Sequence, residues 1–175
     1  MDNNTITAPA GFKAAAAACG IKQIDKLDIG LVVADQVCSA AAVFTSNRFC
    51  GAPITVGREH MRHGRLRAFV VNSGCSNVAT GKRGIADARA MCQQVAETIG
   101  AETHEVLPSS TGVIGRFLPM DKIRPGIDAA LASLAPSPEA GECFARAIMT
   151  TDTRMKQACE RVRIGRSEVT VAGCC

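Results

Sequence analysis

The passage from Leu66 to Ile99 constrains this chain most: an apolar strand pattern gives way, through a polar turn, to its most regular helical period. Leu66–Val71 (L-R-A-F-V-V) is rich in residues that suit a pleated surface, and Asn72-Ser73-Gly74 reads as the turn that ends it. In Arg83–Ile99 the apolar positions Ile85, Ala88, Met91, Cys92, Val95 and Ile99 recur at helical spacing, and Gly100 is placed as a C′ residue. A strand followed by a one-sided helix implies a sheet with a helix laid on it.

Around that unit the pattern predicts strands over Asp28–Ala34 and Ala40–Thr45, and a short strand over Glu105–Leu107 followed by a polar loop, Ser109–Gly115. A helix is expected from Pro125, as a first-turn residue, to about Leu134. Beyond the linker Ala135-Pro136-Ser137-Pro138, another is expected to about Met149. Val162–Ile164 and Glu168–Val171 alternate on either side of Gly165, which predicts a hairpin. The early strands succeed one another with few helices between them. That favours antiparallel pairing at the start, and a layered α/β sandwich over a doubly wound sheet. The 175 residues suit a single unit.

Composition narrows the function classes. Hydrophobic residues make up 47%, enough for a core, but there are six Phe and no Trp or Tyr, so the core is aliphatic and stacking platforms for single-stranded nucleic acid are not expected. The net charge is +4, and its densest cluster, Arg58, Arg62, Arg65 and Arg67, reads as a solvated turn near Gly64, not as a phosphate-binding stripe. Apolar runs such as Ala14–Cys19 fall far short of the roughly 20 residues that span a bilayer. The start, Met1-Asp2-Asn3-Asn4, lacks a secretory pattern, so a cytoplasmic location without membrane contact is expected. The nine Cys (19, 38, 50, 75, 92, 143, 159, 174 and 175) form no C-x-x-C pair and no zinc-ligand grouping. Reduced core thiols are expected, with no metal and no cofactor.

Three places could carry chemistry. Ser109–Gly115 follows a strand and offers a hydroxyl beside a Gly, which suits an oxyanion, although by itself it also reads as an ordinary polar turn. Asn72–Gly81 joins the strong strand to the strong helix; it could contact a ligand, or simply satisfy backbone groups through its Asn and Ser side chains. Cys75 within it invites a nucleophile reading, but His60, His63 and His104 are all remote in sequence. Met149-Thr150-Thr151-Asp152-Thr153 could hold the charged groups of an amino acid, or be a helix end and turn.

These places occur in the order found in a known family. Thr7–Phe12 resembles T-A-P-x-G-F, Val43–Asn47 resembles V-F-T-x-N, and Asn72–Gly81 resembles N-S-G-x-A-N-x-x-T-G. Ser110–Lys122 resembles S-T-G-x-I-G-x-x-L-P-M-D-K, and Ala147–Thr153 is similar to A-I-M-T-T-D-T. Together these five segments resemble the N-terminal chain of the ornithine acetyltransferases, also called bifunctional glutamate N-acetyltransferases. The resemblance implies a precursor that cleaves itself before a Thr, which then heads the second chain and serves as nucleophile. It implies ping-pong transfer of acetyl from N-acetylornithine to glutamate in arginine biosynthesis, and leaves acetyl-coenzyme A open as a donor. It places Thr111 and Gly112 on the oxyanion hole and Thr150 on the substrate-binding Thr. It also implies a fold completed by the second chain, in an assembly of two N-terminal and two C-terminal chains.

The sequence departs from the family at Cys75-Ser76, where a small Gly/Ala pair is usual. It stops at Cys175, ahead of the family's K-G-x-G-M segment and cleavage bond, so the substrate Lys and nucleophilic Thr are expected outside it. Two rival readings remain at this level: an aminopeptidase or amidohydrolase built on the same self-cleaving logic, and a non-catalytic amino-acid-binding module.

Overall fold

The computed structural model describes residues 3–23 and 25–175. Its centre is a four-stranded sheet in the order β1-β2-β3-β4, made of Phe12–Ala17, Ile29–Ser39, Arg65–Cys75 and Val106–Val113. The first three strands are antiparallel, as expected from their close succession, and β4 joins β3 in parallel. A parallel neighbour needs a crossover, and the helix α2 (Gly81–Ile99) supplies it.

Both faces of the sheet are apolar, so β2 reads as a continuous apolar run. Ile29, Leu31 and Val33 of β2 and Ala68 and Val70 of β3 face Met91, Cys92 and Val95 of α2. Ile123, Ile127 and Ala130 of α3 (Met120–Ala132) complete that core. Each Val, Leu, Ile and Met among these contributes about 1.5–3 kcal/mol relative to exposure. On the other face Ala14 and Val32 meet Phe144 of α4 (Pro138–Ile148). The remaining helix, α1 (Ala52–His60), packs beside β4 and α2. The fold is therefore layered α/β with a mixed sheet. A separate antiparallel hairpin, β5 (Gln157–Ile164) with β6 (Ser167–Cys174), turns at Gly165 as the alternation predicted.

Several sequence expectations need correction. Ala40–Thr45 is not a strand: β2 ends opposite the start of β3 at Ser39↔Arg65, so among the described residues the chain beyond it has no strand to pair with, and Val43 is 99% exposed. Asn72-Ser73-Gly74 does not end β3, because pairing on both sides, Ile29↔Asn72 and Asn72↔Ser110, overrides the turn tendency of those residues. For the same reason Ser109–Val113 is strand, not loop. Pro125 lies inside α3, which starts at Met120 after Pro119. The Arg58–Arg67 cluster is spread over the end of α1, a 3-10 turn closed by Gly64, and the start of β3.

All nine Cys are free thiols. Burial pushes Cys92 up to about 12, and burial together with the nearby Asp28 carboxylate does the same to Cys19, so both stay protonated and unreactive. No helix among the described residues is long and apolar enough to cross a membrane.

Candidate functional site

Because β3 and β4 are parallel, their carboxyl ends lie side by side, with Gly74 paired to Gly112 and Cys75 to Val113. A cavity of about 970 Å³ opens there, lined by Lys22, Gly74, Thr111, Gly112, Arg146 and Thr150 among others. Crevices at the carboxyl ends of sheet strands are where α/β folds hold ligands. The structure thus brings together all three residues singled out from the sequence, Thr111, Gly112 and Thr150, from segments far apart in the chain.

The strand pairing sets the geometry of this wall. Gly112 has φ +132, and a Cβ on it would lie 2.4 Å from the Gly74 carbonyl carbon and 2.7 Å from the Cys75 nitrogen. Only glycine allows the two backbones this approach. Asn72 stiffens the same ends: its Nδ2 donates to the Cys75 carbonyl at 2.8 Å, and its Oδ1 accepts from Ser110 Oγ at 2.6 Å. Among the described residues the Thr111 hydroxyl makes no hydrogen bond, which leaves it available to the cavity.

The end of α4 and the Thr150 segment also line the cavity. Asp152 is paired with Lys156, whose hydrogen bond and charge hold the Asp152 carboxyl below its ordinary range. Arg146 adds its positive charge to those of Lys22 and Lys26 in the lining, and pairs with Glu142 at 3.7 Å. The floor comes from the turn after β1. Asp28, fully buried, accepts from the backbone N–H groups of Cys19 and Ile21, both at 2.7 Å, and of Lys22 at 3.1 Å. Lys22 Nζ in turn donates to the carbonyls of Leu27 at 3.1 Å, Ala147 at 3.2 Å and Met149 at 2.5 Å. Burial lowers the Lys22 pKa from its ordinary 10.5, against the opposing pull of Asp28.

The other places resolve differently. Asn77 is fully buried and works as scaffold: its Nδ2 donates to the Gly84 carbonyl at 2.9 Å, and its own carbonyl accepts from Ala52 N–H at 3.0 Å, which joins the starts of α1 and α2. The plain reading of Asn72–Gly81, Asn and Ser satisfying backbone groups, describes it well. Cys75 is 4% exposed and its Sγ faces the Arg116 carbonyl at 3.4 Å. His60 and His104 sit near the opposite end of these strands, where Ala68 pairs with Val106, roughly 23 Å away at about 3.3 Å per residue. Among the described residues no Cys–His hydrogen bond forms. Sequence reasoning missed Lys22, Asp28 and Arg146, since an isolated charge in a turn or on a helix carries no pattern of its own.

A profile of the ArgJ family matches residues 13–175. The chain is 48% identical over 94% of its length to the arginine biosynthesis bifunctional protein ArgJ of Methylococcus capsulatus, of which it covers 40%. It is 42% identical over 99% of its length to the same-named protein of Dehalococcoides mccartyi, of which it covers 42%. The chain thus spans about two fifths of the curated relatives it matches. Among solved structures it is similar to the Bacillus halodurans arginine biosynthesis bifunctional protein argJ, with a TM-score of 0.94 and 39% identity, covering 100% of this chain and 91% of that one. It is likewise similar to an ornithine acetyltransferase from Mycobacterium tuberculosis complexed with ornithine, with a TM-score of 0.93 and 37% identity over 100% of this chain and 92% of that one.

Proposed function

The chain belongs to the ArgJ family, and from that membership we propose that it is the N-terminal part of a cytoplasmic ornithine acetyltransferase of arginine biosynthesis. In this reading acetyl moves from N-acetylornithine to glutamate through an acetyl-enzyme. The nucleophile is a Thr hydroxyl at the head of a second chain, released when the precursor cleaves itself. That oxygen attacks the acetyl carbonyl carbon, the C–N bond breaks, and the proton from the hydroxyl passes to the departing ornithine amine. The amine of glutamate then attacks the ester and restores the Thr hydroxyl.

This chain's part is electrostatic. Thr111 Oγ–H and Gly112 N–H donate to the oxyanion of each tetrahedral intermediate, held in place by the β3–β4 pairing. Thr150, which lines the same cavity, holds the amino-acid portion. One observation carries the reading: Thr111, Gly112 and Thr150 line one cavity at the carboxyl ends of the parallel strands. The partner is the C-terminal chain of the same precursor, in an assembly of two of each. We assign no metal or cofactor to the transfer; acetyl-coenzyme A is open as a second donor.

The test is the intact mass of the protein expressed from its complete gene, before and after incubation with N-acetylornithine. Two chains are expected, the second gaining about 42 Da for one acetyl group. A single chain with no adduct would sink the reading in favour of a binding module. Release of amines from peptide amides without an acceptor would favour a hydrolase.

A further inference from the structure

Lys22 has no part in the chemistry above, yet it joins two segments of the cavity lining, the turn after β1 and the end of α4. Its root is fixed, because its N–H binds the buried Asp28 carboxylate. Its stem lies over the end of β3: a Cβ on Gly74 would meet Lys22 Cγ at 3.2 Å. Its tip reaches the last carbonyls of α4, which a helix leaves without partners of its own. An ammonium suits that position, since the carboxyl end of a helix carries partial negative charge. Ser73 Oγ, from β3, donates to the same Ala147 carbonyl. Immediately afterwards the chain leaves the helix, with Met149 at φ −65 and ψ 143, and Thr150 follows.

An ammonium has three donors, and three carbonyls take them, so Lys22 has none left for a substrate. We propose that Lys22 is a positioning residue: it gathers the Ala147 and Met149 carbonyls against that of Leu27 and so fixes Thr150 in the cavity it shares with Thr111 and Gly112. The proposal rests on the reading of Thr150 as the residue that holds the amino-acid portion. Loss of the ammonium frees the Thr150 segment to drift and leaves the oxyanion wall intact, because β3 and β4 are paired independently of it.

The experiment uses the complete protein, unsubstituted and as K22M, K22Q and K22R, with steady-state kinetics on N-acetylornithine and glutamate and intact mass as a second readout. K22M keeps the stem and removes every donor; KM for N-acetylornithine is expected to rise about tenfold, the loss of roughly one charge-assisted hydrogen bond, with kcat within about threefold. K22R, which keeps a charged donor, is expected to bring KM back to within about threefold of the unsubstituted value. An unchanged KM in K22M, or a fall in kcat alone, overturns the positioning role. Should K22M not fold, K22Q decides on the same terms: a raised KM supports the role and an unchanged one overturns it. An acetyl adduct on the unsubstituted protein separates these outcomes from failure of the site reading. Its absence overturns that reading and this proposal together.

Discussion

A Cβ on Gly112 would collide with the backbone of Gly74, so G112A tests strand pairing before it tests any oxyanion. Thr111 is the cleaner probe. T111V removes the hydroxyl at nearly constant shape, and acetylation by the complete enzyme is expected to slow by roughly 10² to 10³, the usual effect of losing an oxyanion donor, while T111S stays within about tenfold. Single-turnover acetylation followed by mass is the check. Read as residues alone, Ser109–Gly115 was as consistent with a polar turn as with a site; only five ordered segments singled out Thr111 and Gly112. Lys22 was illegible because its role depends on carbonyls more than a hundred positions away. His60 offers a second residue-scale outcome. Its Nδ1–H donates to the Val106 carbonyl at 2.8 Å, and burial holds its pKa below the ordinary 6.5; Glu59 opposes that shift, and His104 and Arg89 add to it. Between the lowered folded value and 6.5 the unfolded chain binds more protons, so stability rises with pH through that window and falls on acidification. H60Q keeps a donor without titrating, and is expected to flatten the dependence of the unfolding midpoint on pH in the window just below 6.5.

At the scale of elements, α4 is fixed at both ends. At its start Ser137 Oγ accepts from Ala140 N–H at 3.2 Å, and the Ser137 carbonyl accepts from Thr7 Oγ at 2.9 Å. S137A is expected to cost about 1 kcal/mol in denaturant unfolding, the usual loss at an N-cap. Periodicity made α2, α4 and the Gly165 hairpin legible, since each carries a pattern at its own spacing. It missed β1, whose Ala-rich stretch has neither alternation nor β-branched residues, and α1, where Pro53 at the first turn lies among apolar and polar residues without a clear stripe. The assignment of Ala40–Thr45 to a strand failed for a different reason. The segment has strand-like composition, but β1 reaches only to Ala34 and β3 only to Ser39, so among the described residues no strand lies alongside it to pair with.

For the molecule as a whole, the β5–β6 hairpin is the exposed part. Val162 and Ile164 on one strand and Val169 and Val171 on the other face solvent, and among the described residues no strand pairs with either outer edge. A lone two-stranded ribbon is marginal in water, and open edges seek partners. In hydrogen exchange, amides of residues 157–174 are expected to exchange near the intrinsic rate when the chain is alone. They should slow by at least about tenfold when the proposed second chain is present. Equal rates in both states would mean that the second chain docks elsewhere.

The parallel pairing of β3 with β4 has a bearing on timing. Its two strands are separated in sequence by the whole of α2, so they meet only after a long loop has closed, a slow event compared with forming either strand or helix. Until they meet, Gly112 has no neighbour to place its N–H and the cavity lacks the wall these strands form. If the same donors serve the cleavage of the precursor, then cutting the chain becomes an act of proofreading: a polypeptide that has not found its register keeps its peptide bond whole, and remains inert until it does.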